Sequence, residues 1–299
     1  MQFKQLTVDD IGALRPYFRE NVPQICDGTI GTTFMWRDMA HTEFAVDGGV
    51  LYLKAHYEHG RTSFAPPRGA ANFADAVSHI AEHCRENALP LRFCPVVEPE
   101  LTLLRELYPT ANVYADDAWS DYLYNASDLR DFAGRRFQGQ RNHCNRFAAN
   151  YPDWRFAAID ETNRADARAF LESYMRDHPK QDFEAYDEGN LKALEVLDNF
   201  DEYTQVCGAL YVDGAVVGVA LGEIVGDTLY IHNEKALTDY AGAYPMLVRE
   251  FARAFAVDPV AFVNREEDDG VEGLRISKAS YHPIRLIEKY CVEVLVADS

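Results

Sequence analysis

Two α/β domains in tandem, each a mixed and mainly antiparallel sheet flanked by helices, are what this 299-residue sequence predicts. Three observations carry that expectation. The second half reads as three strands joined by tight turns at Asp213-Gly214 and Gly226-Asp227, then a long helix, a strand, a helix and a last strand. The first half runs through strands and helices in a similar order. The length suits two domains of ordinary size, and a composition 47% hydrophobic and 26% charged is that of a globular chain.

In order, Thr7 is placed to cap a helix whose Ile11, Leu14 and Phe18 recur at helical spacing. Residues 32–37 read as an aromatic turn or short helix, and 43–55 as two strands about Gly48-Gly49. An amphipathic helix spans 72–87, with Phe73, Val77, Ile80, Ala81 and Cys84 inward; a strand at 91–97 and a helix at 98–108 follow. The chain is extended near 114–124 and helical again from Ser127, so the boundary is set between domains 1–120 and 121–299. In the second domain, helices at 161–177 and 190–199 precede strands at 204–212, 215–225 and 228–234. A helix at 243–255 buries Met246, Leu247, Phe251 and Phe255; then come a strand at 260–264, a helix from about Gly270 and a final strand at 291–296. The order β-β-β-α-β-α-β is that of acyltransferases of the GNAT type, in which an acyl-thioester arm enters where neighbouring strands diverge. Residues 91–109 and 260–275 echo each other weakly, each a strand, an acidic turn and a helix.

A net charge of −19 argues against general binding of nucleic acid or anionic membrane, and so against a tRNA partner. One stretch runs the other way: 134–147 has no acidic residue but holds Arg135, Arg136, Arg141 and Arg146. No apolar run is long enough for a membrane span, and the start lacks a signal-peptide core, which points to the cytoplasm. The six cysteines form no CxxC pair, and no His/Cys cluster has zinc spacing, so no metal is expected and the cysteines read as buried free thiols.

Three constellations carry chemistry. On a helix, Arg135, Asn142 and Arg146 share one line, flanked by Gln138 and Asn145, while Phe137, Cys144 and Ala148 face inward. With Arg141, this stripe offers forked donors suited to a phosphate or carboxylate; a surface helix paired with acidic neighbours is the alternative. The second is 262–283, where a strand ends in Asn264, Arg265 and Glu266, and Leu274, Lys278 and Tyr281 then share a helix face. Ligand sites collect at such strand ends; Lys278 is placed to meet a phosphate, and Tyr281 to donate a proton or to pack. The third is 228–236. Strict alternation puts Leu229, Ile231 and Asn233 on one face and Tyr230, His232 and Glu234 on the other. His232 or Glu234 would take the proton of an attacking amine, although a strand histidine is also a common structural residue. Gly242, Ala243 and Tyr244 match the end of an acyl-CoA pyrophosphate loop at a helix start. Glu223, near the end of the preceding strand, is another candidate base, but its Gly-Glu context better suits a solvent-facing strand residue.

The motifs at 135–147 (RRFxxxRNHxNRF), 263–275 (VNRExDxGxEGLR) and 278–283 (KxSYxP) resemble a bacterial family similar to the C-terminal domain of phosphatidylglycerol lysyltransferase. The resemblance covers most of the chain and implies a tandem GNAT-like pair. It implies transfer of an aminoacyl group from charged tRNA, or of an acyl group from acyl-CoA, to an amine or hydroxyl acceptor. The expectation is therefore an N-acyltransferase or aminoacyltransferase. Its rival is a non-catalytic protein that binds a small anion on a degenerate form of the same fold.

Overall fold

The computed structural model describes residues 1–18, 24–57, 61–69, 72–177 and 184–295. The chain divides into two compact units. One comprises Met1–Pro23, Trp36–Ser120 and Ile287–Ser299; the other comprises Gln24–Met35 and Asp121–Leu286. The sequence boundary at 120/121 thus separates most of the chain. Residues 24–35 nevertheless lie with the later unit, and the C-terminal strand lies with the earlier one.

The first unit holds β1 (Lys4–Gln5), α1 (Ile11–Leu14), β2 (Glu43–Asp47), β3 (Val50–Tyr57), β4 (Arg61–Phe64), β5 (Arg68–Gly69), α3 (Phe73–Glu86), β6 (Arg92–Val96), α4 (Glu100–Leu107), β7 (Asn112–Ala115) and β15 (Tyr290–Glu293). The sheet order is β1-β2-β3-β4-β6-β15-β7, with β5 beside β3. α3 starts where the Asn72 side chain accepts the amides of Ala74 and Asp75. Its Val77, Ile80 and Cys84 pack with Tyr52, Phe64, Phe93 and Val292 in the core.

The second unit holds α2 (Ile30–Met35), β8 (Asp121–Asn125), α5 (Ala126–Asp131), α6 (Gln138–Asn150), β9 (Arg155–Ala158), α7 (Arg164–Asp177), α8 (Glu184–Asp198), α9 (Phe200–Tyr203), β10 (Val206–Val212), β11 (Ala215–Val225), β12 (Thr228–Ala236), α10 (Ala243–Phe255), β13 (Phe262–Asn264), α11 (Glu272–Ala279) and β14 (Arg285–Ile287). Its sheet runs β14-β8-β13-β12-β11-β10-β9. The antiparallel meander β10-β11-β12, the crossover α10 and the parallel strand β13 reproduce the expected order. α10 begins after Gly242, whose φ of +96° suits a residue without Cβ. It buries Met246, Leu247 and Phe251 against Leu229, Ile231 and Val263.

The two sheets share a plan. A meander is followed by a parallel strand, β6 beside β4 in one and β13 beside β12 in the other. The echoing segments β6-α4 and β13-α11 occupy equivalent places in it. In each sheet the next position is filled from elsewhere in the chain, by β15 in the first and β8 in the second. The final strand was expected to complete the second sheet; instead β15 pairs with β6 and β7. That pairing also corrects the cysteine expectation. Cys94 and Cys291 lie on neighbouring strands with Cα atoms 4.5 Å apart and form a disulfide, while Cys26, Cys84, Cys144 and Cys207 are free and buried. Residue 296 of the expected last strand lies outside the described residues.

Candidate functional site

The site lies wholly in the second unit, where β12 departs from regular pairing. Asn233 pairs with Leu221, and the next pair is Ile231 with Gly222, so His232 is the extra residue of a bulge. A bulge resets the alternation of faces. His232 stays on the side reached by α2, and Asn233 joins that side, its Nδ2 donating to the Gly189 carbonyl at 3.2 Å. Glu234 swings to the opposite side, where Arg265 Nη2 donates to its Oε2 at 2.6 Å. The expected grouping of His232 with Glu234, and of Asn233 with Leu229 and Ile231, is therefore corrected.

Around His232, whose side chain is 1% exposed, two carboxylates converge. Nδ1 donates to Glu266 Oε1 at 2.8 Å, and Glu223 Oε2 lies 3.7 Å from Nε2. Thr32 Oγ1 donates to the same Glu266 oxygen at 3.1 Å, and the Gly31 amide donates to Glu223 at 2.6 Å. Burial by itself would depress the imidazole; the nearby Glu223 and Glu266 carboxylates, the latter hydrogen-bonded to Nδ1, outweigh it and lift the pKa to about 9. His232 is thus an imidazolium at neutral pH and has no lone pair with which to act as a base. Glu223, expected to face solvent, is buried beside it. Gly31 is required by close approach, because a Cβ there would run into His232 Nε2 and the Gln205 amide. Among the described residues, both Gln205 amide atoms and His232 Nε2 are buried without a hydrogen-bond partner.

Glu266 follows β13 with φ +59°, and its amide donates to Asn264 Oδ1 at 2.7 Å. Asn264 is fully buried; its Nδ2 reaches Asp121 at 2.8 Å and the Gln24 carbonyl at 3.2 Å. It organises the strand end and presents no donor to an outside anion. Arg265 is likewise committed: it pairs with Glu234 and lies over the Tyr281 ring at 4.6 Å and the Tyr124 ring at 5.9 Å. β12 and β13 pair only over Thr228–Tyr230 and Phe262–Asn264. On the α10 side, Arg265, Glu234 and Tyr281 pack at the place where the strands separate. Burial raises the Tyr281 phenol well above its ordinary pKa, and the ring belongs to the core, so the side chain packs.

The Lys278 ammonium donates to the Glu267 carbonyl, and burial lowers its pKa. The charges acting on it are those of Glu266, Arg265, Glu267 and Asp121, three carboxylates against one guanidinium. At the start of α10, the Ala243 amide bonds the Tyr240 carbonyl and that of Met246 bonds Gly242. Pro245 has no N–H to offer. The direction in which a Gly242 Cβ would point is filled by the His143 carbonyl and Phe147 of α6.

The arginine stripe divides. Arg135 and Arg136 sit in a 3-10 turn ahead of α6, so the seven-residue alignment with Asn142 does not form. Arg136 pairs with Asp128 at 2.7 Å, Arg141 donates to the carbonyls of Phe132 and Gly134, and Arg146 reaches His143 at 2.9 Å. Arg135, Asn142 and Asn145 are exposed. The first two motifs do touch: Gln140 donates to the Ser280 carbonyl at 2.7 Å, and Phe137 packs edge-on to His282. Arg141 and Arg146 are held within their own segment, whereas Lys278 bonds the Glu267 carbonyl and Asn264 bonds Asp121, so the described bonds tie the two groups to separate partners.

Comparison with known proteins agrees with this architecture. A conserved Bacteroides thetaiotaomicron protein of unknown function superposes with a TM-score of 0.91 at 27% identity, covering 99% of this chain and 100% of that one. The C-terminal domain of an Agrobacterium fabrum protein assigned as a lysylphosphatidylglycerol synthetase gives 0.69 at 14% identity, over 97% and 93%. L-PGS from Bacillus licheniformis gives 0.66 at 12%, over 97% and 92%. Among the described residues no helix is long and apolar enough to cross a membrane. The family model described as phosphatidylglycerol lysyltransferase, C-terminal, matches residues 19–293, and the chain belongs to that family.

Proposed function

We propose that the chain is an acyl- or aminoacyltransferase whose chemistry is carried by Glu266, with His232 as the residue that positions and charges it. The observation behind this reading is the buried Glu223–His232–Glu266 arrangement at the β12 bulge. Glu266 is the more exposed of the two carboxylates, with a side-chain exposure of 16% against 9% for Glu223. It is the one placed to take a proton from an attacking amine or hydroxyl. The nucleophile forms a bond to the acyl carbon, the ester C–O or thioester C–S bond breaks, and the proton passes to the departing oxygen or sulfur. The imidazolium of His232 stabilises the negative charge on Glu266 before the proton arrives. Glu234 and Tyr281, tied up around Arg265, have no part in this scheme.

An aminoacyl ester fits as donor better than acyl-CoA. The surroundings of Lys278 are acidic, which suits the free ammonium of an aminoacyl group, and the start of α10 offers few amides to a pyrophosphate. The test is transfer of a radiolabelled amino acid from charged tRNA to phospholipid vesicles or to free amines, with acyl-CoA as the parallel donor. Glu266→Gln is expected to lower transfer by about 10²–10⁴-fold, and Glu234→Gln to leave the chemical step intact in whatever fraction folds. A second reading, a binding protein without chemistry, is favoured by the packed gap between β12 and β13. Saturable binding of these donors with no product from any of them would select it.

A further inference from the structure

Gln205 stands where β10 begins, beside the Glu223–His232–Glu266 arrangement. Thr204 closes α9 with a φ of +51° and turns the chain into the strand. β10 pairs with β11 from Val206 opposite Gly222, which brings Gln205 next to Glu223. Gly31 of α2 approaches so closely that a Cβ on it would meet both His232 Nε2 and Gln205 Nε2. The two side chains therefore border one small space. It is closed to solvent: Gln205 is 5% exposed and the His232 side chain 1%.

An imidazolium carries two N–H donors and needs an acceptor for each. Nδ1 donates to Glu266. Glu223 Oε2 accepts the Gly31 amide at 2.6 Å and, at 3.7 Å from Nε2, stands beyond hydrogen-bond reach of the ring. Among the described residues Nε2 is thus a buried donor without an acceptor, and both atoms of the Gln205 amide are buried and unbonded beside it. An unbonded donor on a buried cation is unfavourable. A half-turn of the Gln205 amide exchanges its oxygen and nitrogen without changing its shape, and sets Oε1 toward Nε2. The charged groups acting on the ring are Glu223 from β11 and Glu266 after β13, while α2 brings the neutral Gly31 and Thr32. With Glu223 out of reach, the amide oxygen is the acceptor left for this proton.

We propose that Gln205 is a positioning residue: its side-chain oxygen accepts the Nε2 proton of His232 and so holds the ring with Nδ1 against Glu266. Held at both nitrogens, the ring keeps one orientation and both of its protons. The hydrogen bond stands on this geometry; its consequence for transfer rests on the reading in which Glu266 carries the chemistry.

The test uses the full chain with ¹⁵N-labelled histidine. The His232 resonances are picked out among the nine histidines by their loss in His232→Gln. The wild-type ring should titrate near 9. Gln205→Met keeps the length of the side chain and removes the acceptor; its ring should bind the proton about tenfold more weakly, a titration about one pH unit lower. A role in packing alone would move the melting temperature and leave this titration in place. A crystal structure of the wild-type chain answers if Gln205→Met does not fold: a Gln205 side-chain atom within about 3.2 Å of Nε2 is expected. An unshifted titration, or Gln205 more than about 3.5 Å from Nε2, overturns the proposal. In a chain that performs transfer, the alkaline limb of the pH profile should move down with the ring. A shifted titration in a chain without transfer activity upholds the hydrogen bond and refutes only the transfer reading.

Discussion

At His232, burial and two carboxylates act in opposite directions, and the carboxylates win. The folded pKa of about 9 exceeds the ordinary 6.5, so the stabilisation is fully present below pH 6.5 and is lost as pH rises through 9. The shift corresponds to about 3 kcal/mol. Urea unfolding of the wild-type chain should therefore show a decline between pH 6.5 and 9.5 that is absent in His232→Gln; equal slopes would refute the imidazolium. Gly31→Ala should cost about 1–3 kcal/mol, since the methyl group has to displace His232 or Gln205, and thermal melts at one pH would read it. His232 was visible in the sequence as a candidate base on a strand face, and Glu266 as a residue at a strand end. Glu223 was misjudged because a Gly-Glu dipeptide on a strand says nothing about what covers it. Gly31 and Thr32 were not identified at all, since their partners lie about two hundred residues away.

The β12 bulge shows why element-level expectations succeed and fail in different places. The turns at Asp213-Gly214 and Gly226-Asp227, the Asn72 cap and the apolar stripe of α10 are local signals, and the elements formed where those signals lay. Strict alternation along β12 failed at one residue, because a bulge is fixed by the partner strand and leaves no mark in the strand's own pattern. The convergence of Cys26, Asp121 and Glu267 was equally hidden, because residues so far apart have no spacing to recognise. α11 illustrates a local anchor that the sequence did suggest only as a turn. Asp268 accepts Arg275 through both oxygens, at 2.9 and 3.0 Å, and caps the Gly270 amide. The Arg275 hydrogen bond leads the causes that hold its carboxyl down at about 2, against 3.8 unfolded. This contribution of about 2 kcal/mol is present above pH 3.8 and vanishes as pH falls through 2. Asp268→Asn should thus lose about that much stability at pH 6 and very little near pH 2; a pH-independent loss would assign the effect to packing instead.

On the scale of the whole chain, β8 and β15 are the strands whose placement no periodicity announced. Each reads as an ordinary strand, and only long-range pairing decides which sheet receives it. β15 lies between β6 and β7, so removing residues 287–299 takes an interior strand from the first sheet. Hydrogen exchange of that truncation should show protection lost first in β6 and β7, with β10–β12 largely retained; uniform loss would mean that the units unfold together. The pattern of sheet membership also constrains how such chains can be rebuilt. Cutting at residue 120 and recombining the halves with those of a cousin would hand the first sheet a foreign interior ribbon, β15, and the later half would arrive without Gly31 and Thr32 of α2. A hybrid that keeps each unit whole must join five segments, so engineering or natural recombination at residue 120 yields mismatched seams where a simple bead-on-a-string protein would tolerate the join.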